Sequence, residues 1–260
     1  MKKLILALSL GCLCCWAGTA YAQKGFKLGV FALPQASGHL NADDDALEPE
    51  VYDLKPLWGM GGGIDLGYNF SDYAGIRLNA IYAQQGTSYL AGETRYTQRL
   101  EYLRIPLMIG FNTEPADRKV VFSLYAGAQM NLLTQADMFN DNPADQGLPE
   151  SVTSVPTEYS RFTPLHYAAV GDVGVDINLP PDNLVLTLRL RADYSFQDVE
   201  NKNARLRITE SGATRSELYW RYTRGTTRNA ETFALVGGLR IGLTYTFARA
   251  AAAPAALPEL

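Results

Sequence analysis

The chain has 260 residues, with 23 Lys and Arg against 27 Asp and Glu, 23 Gly, 15 Tyr and a mean hydropathy of −0.10. This hydropathy excludes a bundle of membrane helices, because each helix needs about 20 consecutive apolar residues. An aromatic content of 11% excludes a disordered chain, and a net charge of −4 provides no basic surface for nucleic acid.

The first 22 residues have the three parts of a secretory signal peptide. Residues 1–3 supply positive charge, residues 4–16 form an apolar run, and an Ala-Tyr-Ala site at 20–22 precedes the predicted cleavage. Cleavage there removes all three cysteines and leaves no thiol for a disulfide, a metal or a nucleophile. The alternative is a lipoprotein signal acylated at Cys12, but its apolar run would be very short.

Apolar and polar residues alternate in eight segments of the exported part. In the clearest one, Leu184, Leu186, Leu188 and Leu190 share a face that ends at Tyr194, opposite polar side chains. An apolar face that ends in an aromatic residue is typical of a strand in contact with lipid. The eight predicted strands span residues 24–33, 57–69, 73–85, 97–111, 119–133, 165–178, 184–196 and 233–247.

The connections between these strands alternate between short and long. Those at 69–73, 112–119 and 179–184 are short and rich in turn formers, whereas 34–56, 86–96, 134–164 and 197–232 are long and polar. This topology predicts an all-β fold, an eight-stranded antiparallel up-and-down transmembrane β-barrel with periplasmic turns and long extracellular loops. Residues 23–247 form the barrel, and the low-complexity residues 248–260 are expected to be a disordered periplasmic tail.

Aromatic residues mark both edges of the predicted apolar band. Trp58 and Tyr68 are ten residues apart on one face, which at the usual rise and tilt spans roughly 25 Å of the bilayer. The predicted girdle consists of Trp58, Tyr68, Tyr82, Tyr194, Tyr245 and Phe247.

The opposite faces of the same strands predict a charged interior. Six cations and four anions inside an eight-stranded barrel can pair with one another and fill the lumen, which favours a packed interior over an aqueous pore. A soluble lipocalin-like barrel would reverse the two faces, and the export signal and girdle aromatics favour the membrane orientation. The predicted lumen charges are Lys27, Asp65, Arg77, Arg104, Asp172, Asp176, Arg189, Arg191, Asp193 and Arg240.

One stretch resembles a known family. Residues 102–107, Tyr-Leu-Arg-Ile-Pro-Leu, resemble the Tyr-Leu-x-Ile-Pro-Leu strand of PorT-like outer-membrane β-barrel proteins, and residues 82–86 and 240–247 are similar to the ends of its third and last strands. The resemblance implies an eight-stranded outer-membrane barrel, for which most members have no assigned activity. Phe247 resembles the final aromatic residue that the barrel assembly machinery reads, although it is not terminal. Pro106 cannot donate to a ladder, so we expect a bulge there.

Two histidines are candidate site residues, each with a simpler explanation. His39 lies near Asp43–Asp45 and Glu48, which could bind a divalent cation, but the spacing matches no calcium motif and favours a solvated acidic loop. His166 lies near Ser160, and a hydrolase acting on lipid would need it on the lipid-facing rim. Alternation points His166 into the lumen, which argues against a catalytic role for it. We predict no enzyme activity, and no residue pattern predicts a cofactor or a metal site.

The loop at 197–232 contains a predicted hairpin that extends beyond the membrane. Its aromatic and arginine side chains are typical of interfaces, so it could bind a protein partner by edge addition, and its arginines could bind lipopolysaccharide phosphates. Alternatively, Trp220 and Tyr222 belong to the outer girdle, or the hairpin adds two strands to a ten-stranded barrel. The candidate binding residues are Arg207, Tyr219, Trp220, Arg221 and Tyr222.

These features together predict a structural or surface-interaction protein of the bacterial outer membrane. Its expected partners are outer-membrane lipids, lipopolysaccharide, the barrel assembly machinery and a protein bound at the extracellular loops. A narrow pore is the main alternative, followed by a lipid-modifying enzyme or a secretion-system component.

Overall fold

The computed structural model describes residues 25–41, 53–71, 73–91, 94–113, 119–140, 151–152, 162–180, 183–199 and 231–248. No helix in these ranges is long and apolar enough to cross a membrane. The strands, in chain order, are β1 Gly25–Asn41, β2 Asp53–Asn69, β3 Ala74–Ala91, β4 Thr94–Asn112, β5 Val120–Asn140, β6 Ser151–Val152, β7 Leu165–Leu179, β8 Leu184–Ser195 and β9 Thr232–Ala248.

The eight long strands close into an antiparallel barrel, which confirms the predicted fold class. The hydrogen-bonded order is β4-β3-β2-β1-β9-β8-β7-β5, and β4 also pairs with β5 and completes the ring. The two-residue β6 pairs only with the far end of β5. Since β8 pairs directly with β9, from Leu184↔Tyr245 to Tyr194↔Leu235, the ten-stranded alternative is wrong.

The two faces of the barrel have opposite polarity to those of a soluble protein. Along β1 and β8, buried and more exposed side chains alternate residue by residue. The buried side is largely polar and the exposed side is apolar, with Val30 at 61% and Leu190 at 64% exposure. A soluble lipocalin-like barrel would place its apolar residues inside, so that alternative is wrong too.

Several strands extend well into the segments that were predicted to be loops. At the long-loop end, β1 to β5 include parts of 34–56, 86–96 and 134–164. Several polar residues of these extensions face inward, as in the case of Gln35, His39 and Thr87, each at most 2% exposed. A polar residue at the end of a strand in this barrel can therefore face the lumen instead of belonging to a loop, which is why the predicted boundaries are too short.

The expected bulge at Pro106 is wrong in position. The β3–β4 register is the same on either side of Pro106, at Leu78↔Leu107 and Ile81↔Arg104, and pairing is only interrupted between them. Proline has no N–H to donate, so a local gap in the ladder is sufficient. The β4–β5 register shifts instead next to Glu101, where Thr134 is the additional residue and donates from Oγ1 to the Glu101 carbonyl at 2.9 Å.

Candidate functional site in the barrel lumen

The ten charged residues that the alternation assigns to the lumen all lie buried inside the barrel, none more than 6% exposed. They come from seven of the strands, β1 to β4 and β7 to β9, and β7 and β8 supply five of the ten. Burial of this many charges requires that they pair with each other, because an isolated buried ion loses its hydration without compensation.

Nine of these residues form one continuous chain of alternating charge. Each aspartate lies between two arginines, and an arginine stands at each end. The contacts follow the order Arg189–Asp176 (2.6 Å), Asp176–Arg77 (3.6 Å), Arg77–Asp65, Asp65–Arg240 (2.9 Å), Arg240–Asp172 (3.3 Å), Asp172–Arg191 (3.5 Å), Arg191–Asp193 (3.0 Å) and Asp193–Arg104 (2.9 Å).

Asp65 is the most heavily shared carboxylate of this chain. It accepts from Arg77 and Arg240, and its Oδ1 also accepts from Asn79 Nδ2. Asn79 Oδ1 in turn accepts from Arg240 Nη1 at 3.0 Å. The carboxylate is therefore surrounded by donors on three sides, which is how a buried anion is compensated in a medium of low dielectric constant.

Aromatic rings pack against three of the arginines in addition to their carboxylate partners. The guanidinium carbons of Arg77 and Arg189 lie 4.6 and 4.4 Å from the ring centroid of Tyr125, and that of Arg240 lies 4.0 Å from the ring of Phe31. These are cation–π distances. Space for Tyr125 depends on its cross-strand neighbour Gly110, where a Cβ atom would overlap the Tyr125 ring.

The outer end of the lumen is closed by apolar side chains instead of charges. Phe162 and Val199, from the segments that flank β7 and β8, pack among inward residues of β4, β5 and β9 and are at most 3% exposed. Backbone hydrogen bonds fix both segments: Thr163 N donates to the Val199 carbonyl, and Val199 N donates to the Thr232 carbonyl. We call this group the mouth cluster; it contains Leu100, Tyr102, Leu133, Ala136, Phe162, Val199 and Ala234.

The predicted girdle residues lie on the outer face of the barrel. Trp58, Tyr82 and Tyr194 are exposed at 77%, 52% and 43%, and the ring of Tyr194 stacks on Phe233 at 5.8 Å. Tyr68, Tyr245 and Phe247 lie at the short-turn end, where Tyr68 contacts Phe26 and the other two contact each other. Exposed aromatics that the prediction omitted extend both rims: Phe26, Phe70, Tyr73, Phe111, Phe122, Tyr167 and Phe196.

Neither histidine occupies the site that was considered for it. His39 lies in β1 inside the barrel, 2% exposed, with its ring 5.3 Å from that of Phe162, so its assignment to a loop is wrong. His166 is 1% exposed and faces the lumen, in edge contact with Tyr102 at 5.2 Å. The acidic residues 43–48 and Ser160 lie outside the described residues.

Several other predictions also concern residues outside the described ranges. They are the signal peptide, the tail beyond residue 248 and the hairpin residues Arg207, Tyr219, Trp220, Arg221 and Tyr222. Within the described ranges, His, Cys, Asp and Glu side chains nowhere form a group of three that could hold a metal ion.

Sequence analysis missed the uncharged members of the lumen network. Tyr125, Asn79, Gln129 and Asn131 are all inward and at most 3% exposed. Alternation alone would have identified them, since Tyr125 lies between the outward residues Leu124 and Ala126. They were missed because the prediction considered only charged side chains, whereas polar and aromatic groups complete the network.

A family model described as an outer membrane protein beta-barrel domain matches residues 20–201. The chain belongs to this family. It is therefore an outer-membrane β-barrel protein, in agreement with the closed barrel and its apolar outer face. A comparison with curated proteins gave no match.

Several solved outer-membrane barrels are similar in structure. Neisserial surface protein A is 14% identical, with a TM-score of 0.45 over 87% of this chain and 100% of that one. OprG of Pseudomonas aeruginosa is 12% identical, with a TM-score of 0.44 over 87% and 98%. Ail, the attachment invasion locus protein of Yersinia pestis, is 13% identical, with a TM-score of 0.41 over 86% and 100%.

Proposed function

We propose that this outer-membrane barrel does not conduct and acts through its outer surface, as a structural or surface-interaction protein. The observation that supports this most directly is the double obstruction of the lumen. The Arg–Asp chain crosses the middle of the barrel, and the mouth cluster fills its outer end. An eight-stranded barrel has an interior that side chains can fill.

Planar-bilayer recording of the refolded chain tests the proposal. We expect no discrete openings, because water and ions would have to displace both obstructions at once. Incorporation is checked independently by the different gel mobility of folded and heated protein, so that silence is not mistaken for failed insertion.

A matched variant separates the two obstructions. Phe162→Ala loosens the mouth cluster and leaves every member of the Arg–Asp chain in place, so it is expected to be silent as well. Steady openings of the unmodified chain would overturn the proposal in favour of a narrow pore. Openings of Phe162→Ala alone would locate the barrier in the mouth cluster and contradict the proposed blocking role of the Arg–Asp chain.

The proposed surface activity is binding of lipopolysaccharide or a protein partner by residues 200–230. This segment contains Arg207 and Arg221 beside Tyr219, Trp220 and Tyr222. Arginine forms paired hydrogen bonds with phosphate, and aromatic residues anchor protein interfaces. Both types of partner are accessible from the side of the barrel to which the long connections point.

Replacement of residues 200–230 by a short Gly-Ser linker tests this activity. Tyr194 pairs with Leu235 on the far side of the segment, so the barrel ladder is complete without it. We expect the shortened protein to fold and to lose binding to lipopolysaccharide vesicles, while shortening of 42–52 has little effect. The proposal would be contradicted if the shortened protein bound lipopolysaccharide vesicles, and any protein partner of the full-length chain, as well as the full-length chain does.

Two finer assignments belong to the same proposal. The Tyr102–Leu107 motif supports membership of the PorT-like group. The inward position of His166 supports a non-enzymatic barrel. Altered envelope lipids on expression of the chain, reversed by His166→Ala, would contradict the second assignment. We further propose that export uses a cleaved signal peptide and that insertion uses the barrel assembly machinery.

A further inference from the structure

The charges of the described lumen residues do not balance. The alternating chain begins and ends with arginine and has five arginines against four aspartates, and Lys27 adds another buried cation. A lysine can release its proton when it is buried, but an arginine keeps its charge. At least one positive charge of the alternating chain therefore lacks a counter-ion among the described residues.

The arginines at the two ends of the chain differ in how well their charges are compensated. Arg189 binds both carboxylate oxygens of Asp176, at 2.8 and 2.6 Å, and lies over the Tyr125 ring. Arg104 donates from Nη1 to Asp193 Oδ2, and Asp193 also contacts Arg191. Two guanidinium nitrogens of each residue have no acceptor within the described ranges, Nε and Nη2 of Arg104 and Nε and Nη1 of Arg189. Arg189 has the Tyr125 ring over its guanidinium, whereas Arg104, which is 0% exposed, relies on one hydrogen bond to a carboxylate that it shares with Arg191, so we place the site at Arg104.

The residues beside Arg104 are suited to an anion. Arg104, Asn131 and His166 are successive partners across β4, β5 and β7, so they form one row on the inner wall. Asn131 Oδ1 accepts from Gln129 Nε2 at 2.7 Å, which leaves its amide N–H groups as donors. His166 Nδ1 has no hydrogen-bond partner in the described part of the chain, and His166 is 1% exposed.

We propose that the lumen binds a small monovalent anion of the chloride class between Arg104 and the Asn131–His166 wall. The ion accepts hydrogen bonds from Arg104 Nε and Nη2 and supplies the charge that the chain lacks. A small ion is required because the mouth cluster, which includes the adjoining Tyr102, closes this end of the lumen. Single charge is sufficient, since the alternating chain exceeds neutrality by one.

Halide substitution tests the site. The full mature chain is refolded in bromide, because a closed lumen would trap the ion that is present during folding, and crystals are measured at the bromine absorption edge. We expect one buried anomalous peak in contact with the Arg104 guanidinium. The unfolding midpoint of protein refolded in chloride is expected to exceed that of protein refolded in gluconate of equal ionic strength by about 4 °C or more.

Two variants at opposite ends of the chain provide the matched comparison. Arg104→Gln removes the donors of the proposed site and is expected to abolish the difference between chloride and gluconate. Arg189→Gln removes a charge from the other end but leaves the donors of the proposed site in place, so it is expected to reduce the difference without abolishing it. If Arg104→Gln fails to fold, the anomalous peak of the unmodified chain still decides the question.

The proposal is overturned by a crystal without a bromide peak at Arg104, by equal midpoints in the two salts, or by loss of the salt difference in both variants. The last result would indicate a general response of the lumen charges to ionic strength. These outcomes are independent of the proposed surface function, which depends on conductance and on residues 200–230.

Discussion

The middle and the outer end of the lumen are both closed, but by different physical means. In the middle, Asp65 and its arginine partners are held by geometry, and each charge depends on a specific neighbour. At the outer end, Phe162 and Val199 fill space among apolar side chains whose contacts have no direction. A single substitution in the charged middle should therefore cause a large loss in the free energy of unfolding. A single truncation in the apolar outer end should cause a smaller one.

Asp65→Asn is expected to have the largest effect. The change keeps the volume of the side chain but removes the carboxylate that Arg77 and Arg240 share, which leaves buried positive charge without compensation. Breaking a buried pair from one side costs about 3–5 kcal/mol. Urea unfolding in lipid vesicles measures the loss.

The matched control for Asp65→Asn is Asp137→Asn. Asp137 is half-buried on β5 and accepts from the neighbouring Gln135 Nε2 at 2.9 Å. A carboxylate that is partly solvated contributes about 1 kcal/mol or less. Equal losses of unfolding free energy in the two variants would show that a carboxylate in the middle of the lumen stabilises the barrel no more than a partly solvated one.

Phe162→Ala is expected to cost less, about 2 kcal/mol. Full truncation of a buried Phe in a rigid core costs about 3–5 kcal/mol, but Phe162 lies on a connecting segment that can open without strand separation. Limited proteolysis at 160–164 should increase more than global unfolding does. Phe196→Ala is the control, because Phe196 is 53% exposed on the outer face and its loss should not increase proteolysis at 160–164.

Simultaneous replacement of Asp176 and Arg189, the charged pair at one end of the Arg–Asp chain, should cause a still smaller loss in the free energy of unfolding. Asp176→Leu alone leaves Arg189 without its carboxylate, whereas Asp176→Leu with Arg189→Met replaces the pair by apolar groups of similar volume. Such replacements are often close to neutral, so we expect the double variant to lose about 1–2 kcal/mol and to be more stable than Asp176→Leu. A double variant less stable than Asp176→Leu would mean that the charged middle cannot be converted to apolar closure.

The sequence contained enough to assign the lumen charges but not their partners. Alternation along a strand fixes which side chains point inward, because successive side chains point to opposite faces. Partners depend on register and shear around the closed ring, as shown by Arg104 and Asp193, which are 89 residues apart on strands that are not neighbours. A single strand contains no information on such a contact.

The mouth cluster was not predictable for a related reason. Phe162 and Val199 are isolated apolar residues in segments that are otherwise polar, so neither has a periodic pattern. Their burial arises from backbone bonds that fold two connections over the barrel end, including Leu133 N to the Pro164 carbonyl. The predicted strands were too short for the same reason. An inward polar residue such as Gln35 cannot be distinguished from a loop residue by sequence alone, because its burial depends on strands that are distant in the chain.

Pro106→Val is expected to have the smallest effect. It tests whether backbone pairing between strands, and not only side-chain packing, contributes to the difference in stability between the charged middle and the apolar outer end of the lumen. Pro106 is a buried residue between Arg104 and Met108, at the point where the β3–β4 ladder is interrupted. Valine restores an N–H that can pair with β3, a gain of about 0.5–1.5 kcal/mol that repacking against neighbouring side chains partly offsets. A net change below about 1 kcal/mol in urea unfolding would mean that side chains, not ladder continuity, make the two regions differ. A larger loss would assign to Pro106 a structural role that its position in an unshifted register does not explain.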